Sequence, residues 1–169
     1  MARASVLIPL SWLGLIAVAD QLSKWAALTH LKGSLSIWGD WVRLTLVRNP
    51  GAAFGVLPDY GDALLWLTGI VFLGLVGAIF RLSRRPREPG TSRLLFGLAT
   101  VAGGALGNGI DRFRYGAVVD FLDLGLSPTL RWPMFNLADA SIVLGTVLLL
   151  WHLLRPGPGS GGEGKRNVA

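Results

Sequence analysis

The sequence contains no cysteine and only two histidines among its 169 residues. Without cysteine, disulfide bonds, cysteine-metal sites and thiol nucleophiles are excluded. The histidines, His30 and His152, lie near opposite ends of the chain, which makes a metal site or a Ser-His-Asp arrangement a poor expectation. We therefore expect neither a metal nor a cofactor, which leaves carboxylates and amides as the groups that can carry chemistry.

Charged residues are also scarce, at 15%, whereas 51% of the residues are hydrophobic and the mean hydropathy is +0.52. This composition is typical of a small polytopic membrane protein. The net charge of +6 does not indicate a nucleic-acid partner, because the arginines are concentrated in loops between apolar segments rather than in an aromatic-rich basic patch. Membrane topology explains them better.

Four apolar runs are close to the roughly 20 residues that a transmembrane helix requires. They predict spans at about 6–28, 63–82, 94–110 and 140–154 within one membrane domain, 1–155, followed by a disordered Gly/Pro/Ser-rich tail, 156–169. The first run has a rival interpretation, since Arg3, the apolar core and Ala17–Ala19 imitate a cleavable signal peptide. The apolar helical pattern continues through Leu28, which favours a retained span.

Arginines in the 81–93 loop and in the C-terminal tail place both segments in the cytoplasm by the positive-inside rule. With four spans, both termini are cytoplasmic and the segments 29–62 and 111–139 face outward. Trp41–Val47 is rich in β-formers that partly alternate, which predicts a strand. The expected fold is mainly α, a four-transmembrane-helix bundle with a small extracytoplasmic β-sheet formed by the two outer segments.

This topology also predicts the depth of the polar residues, because a helix rises 1.5 Å per residue. Asp20 and Asn108 are each expected roughly 20 Å from the inner face, with Asp111 and Arg112 one turn higher. Asp139, at the outer start of the fourth helix, meets them from above. The unusual polar residues are thus expected to share one layer near the outer face.

Several of these residues have two open interpretations. Asp20 and Lys24 are four residues apart on a helix, so they form either a surface ion pair with Lys24 reaching outward or a pair that orients a site. Asp139 is either a helix cap or a catalyst. Arg112 is either a cation favoured at a helix C-terminus or a ligand for a carboxylate or a lipid headgroup.

Two aspartates are the strongest candidates for chemistry. Asp120 is bracketed by Val118, Val119 and Phe121, which keep water scarce, whereas Asp139 lies in the first turn of a helix, where the dipole favours its ionised form. Two carboxylates in different environments suit an acid-base pair. Asn136 and Asn108 are candidate hydrogen-bond donors to a developing oxyanion.

These motifs resemble, in order, the sequence blocks of signal peptidase II, the bacterial lipoprotein signal peptidase. Each block alone is weak, but the ordered set, from Asp20 to Asp139, is specific. Pro50 and the Gly-rich tail depart from the family pattern. The blocks are Asp20 with Lys24, Asn49–Gly55, Gly107–Arg112, Val118–Phe121 and Phe135–Asp139.

The resemblance implies an aspartyl protease of the bacterial inner membrane with its active site near the outer face. Four helices with one internal site require no partner subunit, so we expect a monomer. It implies cleavage of diacylglyceryl-modified prolipoproteins on the N-terminal side of the lipidated cysteine, with membrane lipids as the other partner. The catalytic residues it implies are Asp120 and Asp139. The supporting and substrate-binding residues it implies are Asp20, Lys24, Asn49, Gly51, Asn108, Asp111, Arg112 and Asn136.

Two functions from other classes remain as alternatives. A small proton-coupled carrier also places carboxylates inside a helix bundle, but its relay should reach both membrane faces, and the inner halves of the predicted spans lack acidic residues. A non-catalytic membrane assembly protein explains the Gly-rich third span by helix packing. It does not explain a layer of Asp, Asn and Arg.

Overall fold

The computed structural model describes residues 5–51 and 60–154, and this part of the chain is mainly helical with one small sheet. The predicted combination of helices and a small β-sheet is confirmed. The expectations for the start of the chain, for Ala52–Gly55 and for the 156–169 tail concern residues outside the described ones. The elements are α1 (Leu7–His30), β1 (Leu35–Trp38), β2 (Val42–Asn49), α2 (Gly61–Ser83), α3 (Thr91–Tyr115), β3 (Val118–Leu124) and α4 (Leu137–Leu154).

Three of the described helices, α2, α3 and α4, are long and apolar enough to cross a membrane. Helix α1 has a similar length, 24 residues, and carries Asp20, Gln21 and Lys24 in its second half. Helix α2 exposes large apolar side chains, among them Trp66 and Ile70, over most of its surface. Such a helix is stable in lipid, where exposed apolar side chains cost nothing and the backbone is internally hydrogen-bonded.

Helix α3 lies at the centre and packs against α1, α2 and α4. Its small residues allow the neighbouring helices to approach closely. A Cβ atom added at Gly103 would lie 2.8 Å from the Cβ of Ile16 in α1, and one at Gly97 would lie 2.8 Å from a methyl of Leu149 in α4. The buried apolar cluster around α3 consists of Leu13, Ile79, Leu95, Ala99 and Ala102.

Helix α3 is longer than the predicted span, which ended at residue 110. It continues through Asp111 and Arg112 to Tyr115, and it ends at Gly116, whose φ of 67° is left-handed and whose N–H donates to the carbonyl of Arg112 at 2.9 Å. A glycine in this conformation is a common helix end. Asp111 and Arg112 are therefore helical, as expected of residues that close the third helix, and the helix extends three residues beyond Arg112.

The three strands form an antiparallel sheet in the order β1-β2-β3. The strand predicted at Trp41–Val47 is confirmed as β2, displaced by one or two residues. In the register of β2 with β3, Val47 lies opposite Asp120 and Asn49 lies opposite Val118. Only two residues, Gly116 and Ala117, separate α3 from β3. The sheet is therefore connected directly to the central helix, and Asp120 in β3 lies at that end of the helices.

Candidate active site

Asp120 lies in the buried strand β3, and its side chain is held by two amides. Only 3% of its surface is exposed. Asn136 donates from Nδ2 to Oδ1 of Asp120 at 2.8 Å, and Asn49 donates from Nδ2 to Oδ2 at 3.2 Å. Both carboxylate oxygens are therefore oriented by donors from other parts of the chain.

Asp139 takes part in a reciprocal cap at the start of α4. Its Oδ2 accepts from the backbone N–H of Asn136 at 3.1 Å, while its own N–H donates to Oδ1 of Asn136 at 2.9 Å. This is the hydrogen-bond pattern of a capping box, with Asp in the third helical position. Its other oxygen, Oδ1, accepts from Nδ2 of Asn108 at 2.8 Å. The capping interpretation of Asp139 is thus correct. The cap uses only Oδ2, and Oδ1 is hydrogen-bonded to Asn108 instead.

Asn136 joins the two aspartates. It is fully buried, and it contacts Asp120 through its side-chain N–H and Asp139 through its own backbone N–H and side-chain oxygen. Its Nδ2 also lies 3.1 Å from Oδ1 of Asn108. In the structure the side-chain amide of Asn136 therefore orients the carboxylate of Asp120.

The electrostatics separate Asp120 from an ordinary carboxylate. Burial, followed by the nearby charge of Asp139, raises the pKa of Asp120 from 3.8 to about 6, against the lowering effects of the Asn49 and Asn136 hydrogen bonds and of the Lys24 charge. A carboxyl group with this pKa exchanges its proton readily near neutral pH. That property is required of a general acid or base.

Behind the two aspartates lies a buried ionic cluster, formed by Asp20, Lys24 and Asp111. The ammonium Nζ of Lys24 is 2.9 Å from a carboxylate oxygen of Asp20 and 2.9 Å from one of Asp111. None of these three side chains is more than 2% exposed. Lys24 also donates to Oδ1 of Asn108 at 2.9 Å. The ion pair predicted for Asp20 and Lys24 is confirmed, but the interpretation with Lys24 reaching outward is wrong, because two carboxylates attract the ammonium inward.

Gln21 is a member of this cluster that the sequence interpretation missed. Its Nε2 donates to Oδ1 of Asp111 at 2.9 Å and to the carbonyl of Gly107 at 3.1 Å. The signal was present in the sequence, since Gln21 and Ser23 lie between Asp20 and Lys24 and bring four polar residues into about one turn of a largely apolar helix.

Arg112 lies one helical turn above Asn108 and reaches the chain after β2. One of its Nη atoms donates to the carbonyl of Gly51 at 3.2 Å. Gly51 in turn donates its N–H to Oδ1 of Asn49 at 3.0 Å, so the turn that presents Asn49 to Asp120 is attached to α3. The buried Nε of Arg112 has no hydrogen-bond partner among the described residues.

A cavity of 740 Å³ opens onto both aspartates. Its volume is in the range of small-molecule and peptide sites. Asn49, Asn108 and Arg112 also line it, whereas its walls are apolar side chains of α2, α3 and α4 and of the segment 132–135. Of the site residues implied by the resemblance, these three and the two aspartates face the cavity. Asp20, Lys24, Asp111 and Asn136 are buried behind it.

Among the residues that the structure describes, no group of three His, Asp or Glu side chains is arranged to hold a metal ion. The fold and the site together define a small helical membrane protein with two carboxylates, Asp120 buried and Asp139 half-buried, at an apolar cavity.

Comparisons with known proteins identify the family. The model of the signal peptidase II family matches residues 12–155. The chain is 42% identical over 159 residues to the lipoprotein signal peptidase of Moorella thermoacetica, covering 92% of this chain and 99% of that protein. It is 50% identical over 111 residues to that of Pelotomaculum thermopropionicum, covering 66% of each. The chain therefore belongs to the signal peptidase II family, whose members are bacterial membrane proteases that process lipoproteins.

Two solved structures have the same fold over nearly the whole chain. Both are described as bacterial membrane enzyme structures obtained by the in meso method, at 2.3 and 1.9 Å resolution. The first has a TM-score of 0.77 at 25% identity and covers 99% of this chain and 98% of its own. The second has a TM-score of 0.76 at 26% identity and covers 92% of this chain and 97% of its own.

Proposed function

We propose that this protein is an aspartic endopeptidase that removes the signal peptide from diacylglyceryl-modified prolipoproteins, cleaving on the N-terminal side of the lipidated cysteine. Family membership supports prolipoprotein signal-peptide cleavage. The observation that carries the aspartic mechanism is that Asn136 connects Asp120 and Asp139 at one cavity. Asp120 and Asp139 are the catalytic residues in this proposal.

The chemistry needs one protonated and one ionised carboxyl group, because no metal or nucleophilic side chain is invoked. Asp139, at a helix N-terminus that favours the anion, accepts a proton from water as the water oxygen attacks the scissile carbonyl carbon. Asp120, with its raised pKa, donates its proton to the carbonyl oxygen, giving a neutral gem-diol. Asp120 then recovers a proton from the gem-diol as the C–N bond breaks, and Asp139 returns its proton to the leaving amine nitrogen.

The cavity has the character that such a substrate needs. Its apolar walls from α2 and α4 suit a signal peptide and the acyl chains of the lipidated cysteine, while its polar end is formed by Asn49, Asn108 and Arg112. The buried Nε–H of Arg112 is a donor for a substrate carbonyl oxygen. Substrate binding in this proposal therefore joins a hydrocarbon-lined groove to a small polar centre.

The proposed topology has four spans, with α1 as the first and both termini in the cytoplasm of the bacterial inner membrane. Five arginines in and beside the α2–α3 connection support this orientation by the positive-inside rule. The sheet and the dyad then lie near the outer face, within a membrane domain of residues 1–155 followed by a cytoplasmic tail. One chain supplies every proposed site residue, so the protein works as a monomer.

A proton-coupled carrier is disfavoured by the distribution of buried charge. Among the described residues, the buried carboxylates are Asp20, Asp111, Asp120 and Asp123, all at the sheet end of the bundle. The buried polar side chains further along the helices include Ser83 and Thr100, which carry no charge. A relay across the membrane would need ionisable groups there as well.

The direct test is to incubate the purified protein, in lipid, with a prolipoprotein that carries the diacylglyceryl group and with the same polypeptide without it. Mass spectrometry should find a new chain that begins with the lipidated cysteine, and only from the modified substrate. No product from the authentic substrate, or cleavage at another bond, would overturn the proposal and favour the carrier or assembly functions.

A further inference from the structure

The ionic cluster contacts the backbone immediately before each proposed catalytic aspartate. Oδ1 of Asp20 accepts the N–H of Ala138 at 2.9 Å, and Ala138 precedes Asp139. Oδ2 of Asp111 accepts the N–H of Val119 at 3.0 Å, and Val119 precedes Asp120. Ala138 and Val119 are both fully buried, so each peptide is fixed inside the protein.

The two anchoring carboxylates are themselves connected. Lys24 lies 2.9 Å from each of them, and Gln21 donates to Asp111 at 2.9 Å and to Asp20 at 3.3 Å. Asp20 comes from α1 and Asp111 from α3, two helices packed against each other along their small residues. Contacts between α1 and α3 therefore hold the two anchors beside each other.

Stability alone is a weak explanation for such a cluster. Taking three charges out of water costs several kcal/mol per ion, and apolar residues of similar volume often stabilise a protein as well or better. Meanwhile the aspartates of the dyad lie on different elements, a strand and a helix, separated by a connecting segment of twelve residues between Leu124 and Leu137. Asn136 links the two aspartates directly, and the cluster adds a second set of contacts to them from α1 and α3.

We propose that Asp20, Lys24 and Asp111 act as positioning residues, with each carboxylate anchoring the peptide next to one catalytic aspartate and Lys24 fixing the distance between the two anchors. The proposal rests on the proposed function, since it assigns how the dyad of that protease is held. It makes the position of the anchoring oxygen, rather than the charge of the cluster, the property that the rate depends on.

Paired substitutions at Asp111 separate position from charge. Asp111→Asn keeps an acceptor oxygen in place for Val119 and loses the charge, whereas Asp111→Glu keeps the charge and moves the oxygen by one methylene. We expect Asp111→Asn to retain kcat within about threefold and Asp111→Glu to lose about tenfold to 100-fold, since displacements of an ångström cost this much. KM for the lipidated substrate should change little in either variant.

Asp20→Asn and Asp20→Glu give an independent test, in which the Asn variant should again have the higher kcat. Asp123→Asn and Asp123→Glu are the matched controls. Asp123 lies in β3, the strand of Asp120, and forms an ion pair with Arg131 at 2.6 Å without contacting Asp120 or Asp139. Both controls should keep kcat. A role in stability alone would make Asp111→Glu the better variant, or would lower the yield of folded protein without changing kcat.

Each outcome decides the matter. If the Glu variants do not fold, the Asn variants suffice, because a kcat below about a tenth of the wild-type value would contradict anchoring by position. Asn variants that fail to fold would also overturn it, since charge would then be the essential property. Failure of the proposed function looks different, because the wild-type protein itself would leave the lipidated substrate uncut.

Discussion

Among the single residues, Asp120 is the one that carries the proton in the proposed mechanism. Asp120 must be protonated to act as the acid, so activity should fall as the pH rises through its pKa, about 6 in the free protein. A hydrogen bond donated to a carboxylate stabilises its ionised form and lowers its pKa. The amide of Asn49 has this effect on Asp120.

Replacing Asn49 with leucine should therefore raise the pKa of Asp120, and the basic limb of the pH profile of kcat/KM should move to higher pH. Thr45→Val is a matched control in the same strand, because Thr45 donates to Asp123 rather than to Asp120. A limb that stays in place in Asn49→Leu, or that moves equally in both variants, would contradict this role of Asp120.

The residue types indicated the two aspartates as candidates, because ionisable residues are rare in apolar segments, and the resemblance added Asn49, Asn108 and Asn136 to the predicted site. The sequence did not reveal which amide serves which carboxylate. Asn136 and Asn108 were predicted as candidate donors to an oxyanion, and the structure adds contacts that the sequence did not predict, from Asn136 to Asp120 and from Asn108 to Asp139. Such assignments depend on tertiary distances that spacing along one helix does not contain.

At the scale of elements, the site depends on how closely α4 approaches α3. A Cβ atom at Gly104 would overlap the carbonyl oxygen of Ala138, the residue before Asp139, closer than real contacts allow. Gly104→Ala should thus push the start of α4 outward, destabilise the protein by about 1–3 kcal/mol or more, and lower kcat. Thermal unfolding and the cleavage assay measure the two effects.

Gly74→Ala in α2 is the matched control, because a Cβ atom there would meet nothing within 4 Å. It should leave the rate unchanged, and stability should not fall, since alanine is the better helix former. Equal losses in the two variants would indicate that glycine matters for the helix itself rather than for the approach of α4.

The elements themselves were largely predictable, because apolar length defines the helices and β-branched alternation defines β2. The end of α3 was not, since hydropathy falls at Asp111 while the helix continues to Tyr115. Burial of Asp111 against Lys24 and the left-handed Gly116 determine that boundary. Both are tertiary or conformational features that hydropathy does not measure.

At the scale of the whole molecule, the proposed topology puts the α2–α3 connection in the cytoplasm and the loop between β3 and α4 on the outer side. The chain has no cysteine, so single cysteines can report each side. In right-side-out vesicles, a membrane-impermeant maleimide should label Thr129→Cys at once and Glu88→Cys only after permeabilisation. Both positions are exposed, so their accessibility is comparable. The reverse labelling order would contradict the proposed orientation.

We propose that Asp120 and Asp139 form one water-activating unit, and the rate of cleavage of a diacylglyceryl-modified prolipoprotein measures whether they do. The rate should be measured for the wild-type protein, Asp120→Asn, Asp139→Asn and the double variant, each confirmed to be folded and inserted. Residues that act as a unit are not additive, so each single variant should lose as much activity as the double variant. Near-wild-type cleavage by either single variant, or a further large loss in the double variant, would contradict the claim.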